Sequence, residues 1–178
     1  MSLHLLVLIL ILVWPGSSFG DAPMPTLEDL TNDADLIAVA KVESIATEPF
    51  QPHNDSSAIV IKGDKQVALA EILDVWKGAS GKSVRFRASP TWECDISKAF
   101  VGETVLLFLN ENSNNPYKTI AYNGIGRLPV VDHSVLLYHT LLTKEVKHLL
   151  EIPAETFRYS VGVNIMKQQV ERILENKK

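Results

Sequence analysis

The chain has 178 residues, 46% of them hydrophobic and 21% charged, and carries a formal net charge of −4. This is the composition of an ordinary globular protein, and its mild acidity argues against nucleic acid, where a basic stripe supplies most of the affinity. A single cysteine excludes an internal disulfide, so the fold must stand on its apolar core.

Leu5 to Val13 is an unbroken apolar run, followed by Trp14-Pro15-Gly16 and then by Ser17-Ser18-Phe19-Gly20. Ser18 and Gly20 are small residues at the −3 and −1 positions before Asp21, the layout of a secretory signal peptide, although the leading Met-Ser-Leu-His carries no Lys or Arg. As a helix, Leu3 to Trp14 would reach about 18 Å at about 1.5 Å per residue. A bilayer core is about 30 Å thick, too wide for it to span. The expectation is a signal peptide over 1–20, cleavage near Gly20, a secreted or periplasmic destination and no membrane insertion afterwards. Residues 21–178 then form one domain.

Thr26 with Asp29 three residues later resembles a capping box, and predicts a short helix from Leu27 to Asn32. Leu36 to Thr47, rich in β-branched and small residues, reads as a strand, and 48–64, with Pro49, Pro52, Asn54, Asp55 and Gly63, as a long loop. A second long strand runs through "QVALAEILDVW". A turn at "KGASGK" leads to a third, in which Val84 and Phe86 alternate with Arg85 and Arg87. "ETVLLFLN" is apolar on both faces, as a central strand would be. "NENSNNP" reads as a hairpin loop, "YKTIAYN" as the return, and Asp132-His133 as a tight turn between "RLPVV" and "SVLLY". Closely spaced strands with turn chemistry between them argue for a mainly β fold, a small barrel or sandwich. Near the C-terminus Met166, Val170, Ile173 and Leu174 make a helical stripe with Asn164 placed as N-cap; the region from about 139 to 178 reads as a helical extension, within which "TKEVKHLLEI" fits either helix or extended chain.

The familiar chemistries fit poorly. "KGASGKS" lacks the first glycine of a phosphate-binding loop, whose place is held by Trp76, and it leads into a strand rather than a helix. His53, His133, His139 and His148 show no zinc-ligand spacing. No Gly-x-Ser-x-Gly follows the signal segment. Glu93 and Asp95 flank Cys94 and would raise its thiol pKa rather than activate it. The reading is therefore of a protein that is not an enzyme and uses no cofactor or metal. Trp76, Phe86, Phe108 and Tyr138 read as core or barrel-wall residues. Trp92 and Cys94, two residues apart in an irregular segment, are either a contact site or a local packing cluster. Asn54-Asp55-Ser56 is a glycosylation sequon in a loop.

Taken in order, "ADLIAVAKVESI", "VALAEILDVWKG", "KSVRFRASPTWEC", "AFVGETVLLFL" and, more weakly, "GIGRLPVVD" resemble the bacterial exported proteins of the tissue-inhibitor-of-metalloproteinase-like (netrin-like) OB-fold superfamily, over roughly residues 34–132. The resemblance implies an OB-type five-stranded barrel, here with a short N-terminal helix and a C-terminal helix packed on it. It also implies a binding surface made by the loops after the first strand and between the fourth and fifth. Those loops hold His53, Asn54 and Asp55, and Asn112 and Asn114; with Trp92 and Cys94 they are the candidate interaction residues. The family's N-terminal zinc-chelating cysteine has no counterpart in Asp21-Ala22-Pro23. The resemblance likewise makes Cys94 a barrel cysteine without its usual mate, either buried and inert or available for a disulfide-linked dimer. The function expected is protein–protein binding by an exported, non-enzymatic module. The alternative is a protease inhibitor that acts through loop contacts.

Overall fold

The computed structural model describes residues 24–48, 65–88, 99–113, 116–138, 141 and 158–177. Helix α1 spans Leu27–Asp33. Its capping box is complete: the Asp29 amide donates to Thr26 Oγ1 at 3.1 Å and the Thr26 amide to Asp29 Oδ2 at 2.8 Å. These bonds satisfy two of the amides a helix start leaves unpaired. The backbone bond from Thr26, then its hydroxyl, hold the Asp29 carboxyl below the usual carboxylate range. At the other end Lys77 Nζ donates to the carbonyls of Thr31 (2.8 Å) and Asn32 (3.0 Å). A cation there complements the negative end of the helix. Burial, then the charge of Lys177, pull the Lys77 pKa below that of an ordinary lysine, against Asp35 and Asp33.

The strands are β1 (Leu36–Glu48), β2 (Lys65–Lys77), β3 (Ser83–Arg87), β4 (Thr104–Asn110), β5 (Thr119–Ile120), β6 (Arg127–Val131), β7 (Ser134–Tyr138) and β8 (Arg158–Gly162). They form one eight-stranded antiparallel sheet in the order β3-β2-β1-β4-β6-β7-β8. β4 is the branch point. Its Thr104–Leu107 stretch pairs with β6, while Leu109 and Asn110 pair with β5. Phe86 of β3 and Lys118, the residue ahead of β5, make a parallel bridge. There the Arg87 amide donates to the Lys118 carbonyl and the Lys118 amide to the Arg85 carbonyl, both at 2.9 Å.

β4 and the first stretch of β1, Leu36 to Ala40, are buried on both faces, which is why "ETVLLFLN" lacks a polar side. Leu36, Ala38, Ala40, Val42, Val105, Leu107 and Leu109 pack into one cluster with Ala68, Ala70, Val84 and Phe86. Ile37, Val39, Leu106 and Phe108 face the opposite cluster, with Leu30, Trp76, Leu128, Val135, Val161, Met166 and Val170. The β1–β2 register shifts three times along its length. Such bulges bend the strands and strengthen their twist, and so curl the sheet.

Two short motifs of the sequence turn out to be packing devices. Gly78 has φ +79°, and a Cβ there would lie 2.3 Å from the Asp35 carbonyl oxygen, so only glycine lets β2 end against the start of β1. A Cβ on Gly126 would meet the Phe108 carbonyl oxygen at 2.9 Å. Beside it, buried Arg127 donates from Nε to Glu103 Oε1 at 3.0 Å and from Nη2 to Oε2, a bidentate pair. The Phe100 ring lies 5.9 Å from the same guanidinium.

Helix α2 spans Val163–Glu175 and follows β8 without a loop. Met166 and Val170 are buried, with Ile173 and Leu174 packed against the same cluster, as the stripe predicts. Two sequence expectations change. Arg158–Gly162, inside the extension read as helical, is a strand paired with β7. The N-cap is Gly162, which places Asn164 inside the first turn. The sheet also has eight strands where five were expected. No helix among the described residues is long and apolar enough to cross a membrane. Residues 1–20, read from sequence as a signal peptide, the expected 48–64 loop beyond Glu48, and Tyr138's side chain lie outside what is described.

Candidate functional site

Where α2 begins, the outer face of the sheet is left partly uncovered, and an open groove of about 790 Å³ lies there. Its floor is apolar: Val39 of β1 and Val130 of β6, with Thr104 of β4 between them. One wall is Leu73 of β2. The register places Ile72 opposite Ala40 and Asp74 opposite Val39, so Leu73 is the extra residue of a bulge. A bulge re-aims its side chain, and Leu73 remains 52% exposed.

The facing wall is the first turn of α2, with Val163, Asn164 and Ile165; Ile165 is 43% exposed. Gly162 makes no side-chain cap, and no acidic residue occupies the first turn. The positive end of the helix dipole therefore borders the groove without a side-chain carboxylate of its own to offset it. The rim is closed by the β6–β7 turn, where Asp132 (φ 47°) and His133 (φ 61°) are both left-handed. Positive φ at both central residues is the type I′ hairpin geometry, usually given to Asn-Gly. The His133 carbonyl accepts the Val163 amide at 3.0 Å and so ties this turn to the helix start.

Asp74, next to Leu73, links β2 to α2. Its Oδ2 accepts from Trp76 Nε1 and from Lys167 Nζ of α2, each at 2.8 Å. Burial pushes the Asp74 carboxyl up, but the bonds from Lys167 and Trp76 outweigh it and leave the pKa lowered. The arrangement is a fixed amphipathic groove, apolar at the base and polar at the rim. Chemically it can take an apolar group whose polar end meets Thr104, Asn164 or His133.

Of the residues singled out from sequence, His53, Asn54, Asp55, Trp92, Cys94 and Asn114 lie outside the described residues. Asn112 is described; it is half-buried in the β4–β5 connection and does not line the groove. That connection is pinned at its start, where the Glu111 amide donates to Asp35 Oδ2 at 2.7 Å and the Glu111 carboxylate pairs with Lys118. The groove residues Leu73, Asn164 and Ile165 were not candidates. Ile165 did carry a signal, as a large apolar residue off the helical stripe. Leu73 carried none, because its exposure depends on a bulge. Among the described residues no three His, Cys, Asp or Glu side chains converge as metal ligands would. No protein-family model and no curated protein matches this chain.

Proposed function

We propose that the chain is an exported, non-enzymatic binding module that receives another protein in the groove at the start of α2. The reading includes an OB-type barrel and kinship with the tissue-inhibitor-of-metalloproteinase-like superfamily. The observation that carries the binding function is the groove itself: two exposed apolar side chains, Leu73 and Ile165, line it together with Val39 and Val130. Export rests on the layout of residues 1–20.

The barrel reading rests on a path of contacts. β1, β2 and β3 are successive antiparallel neighbours, β4 pairs back onto β1, and β5 pairs with β4. The bridge between Phe86 and Lys118 would close that path as β1-β2-β3-β5-β4. The remaining strands β6 to β8, with α2, would then be an extension that creates the groove on the outside of the barrel. Amide exchange tests closure directly. The amides of Arg87 and Lys118, which make the bridge, should be protected like those of central β4. Exchange at the rate of open loops would end the barrel reading.

Binding is tested in the full chain purified from its own host, with a photo-crosslinking amino acid placed at Ile165. One discrete protein adduct is expected, and Leu73→Asp across the groove should abolish it. The same adduct from a crosslinker at Glu28, exposed on α1, or persistence of the adduct in Leu73→Asp, would overturn the groove as the binding site.

A further inference from the structure

We draw no further inference here: the strongest candidate outside the groove, the exposed Phe100–Val101 patch on the turn before β4, carries nothing because no feature among the described residues shows what covers it.

Discussion

The two faces of β1 and β4 support different kinds of core. On the inner side the lining is dominated by small residues, with Ala38, Ala40, Ala68, Ala70, Ala88 and Ala99 packed around Phe86, Leu107 and Leu109. On the outer side the residues are large, Trp76, Phe108, Tyr159 and Met166 among them, and two helices complete the layer. The difference teaches that the two faces of the same strands are filled by different means: alanines around a few large side chains on one, and large side chains under two helices on the other.

Phe86 is fully buried in the inner cluster, so Phe86→Ala should cost about 3–5 kcal/mol, measured by urea unfolding. A loss below 1 kcal/mol would mean that the inner cluster can collapse around the gap, and the contrast between the faces would disappear. The opposite substitution sharpens it. Ala70→Leu adds volume to the same cluster and should cost about 1–3 kcal/mol, whereas Met166→Leu in the outer cluster should cost less than about 1.5 kcal/mol. Equal costs would show that the two faces are packed alike.

Both faces were legible in sequence where the pattern is local. Alternation in "SVRFRA" gives Val84 and Phe86 inward, and β3 shows that pattern. Thr26 and Asp29 locate α1, and Met166, Val170, Ile173 and Leu174 define the buried stripe of α2. What sequence could not give are features made by non-local pairing. The exposure of Leu73 follows from a register shift against β1. β8 is a strand because β7 offers it an edge, and Gly162 displaces Asn164 as N-cap because the strand runs straight into the helix. The groove is assembled from such features, so it left no motif. Lys77-Gly78, which ends "VALAEILDVWKG", and Gly102-Glu103, within "AFVGETVLLFL", serve packing: Lys77 caps α1 and Glu103 binds Arg127.

The two regions also differ in how they should respond to pH. The inner face holds the buried Arg127–Glu103 pair, in register with Leu107 of β4, while the outer layer is tied at α1 by the Thr26–Asp29 cap and the Tyr122–Asp33 bond. Thr26→Ala removes the α1 cap and should cost about 1 kcal/mol. Because folding lowers the Asp29 pKa, its contribution is present above the ordinary carboxylate range and is lost as pH falls through the folded value. In acid, amides of α1 should therefore exchange before those of β4. The opposite order would place the weaker layer inside.

The smallest effect lies at the alkaline end, on Tyr122. Its hydroxyl donates to Asp33 Oδ2 of α1 from a left-handed residue, φ 50°, in the 3-10 turn at Ala121–Gly124. That bond to a carboxylate, then burial, then the charges of Asp33 and Asp29 push the phenol up to about 12. A pKa raised by folding means that the native state keeps a proton the unfolded chain has lost. The contribution is thus complete below the ordinary phenol value of about 10 and fades as pH rises toward the folded one. Ultraviolet titration should show one phenol ionising late, a signal absent in Tyr122→Phe and shifted back toward the ordinary value in Asp33→Asn. A late phenol that survives Asp33→Asn would assign the shift to another group. Between those pH values, loosening should begin where α1 meets the 3-10 turn, while β4 amides keep their protection. Loss of β4 protection over the same range would mean that the two layers unfold as one, with no separate outer layer for titration to release.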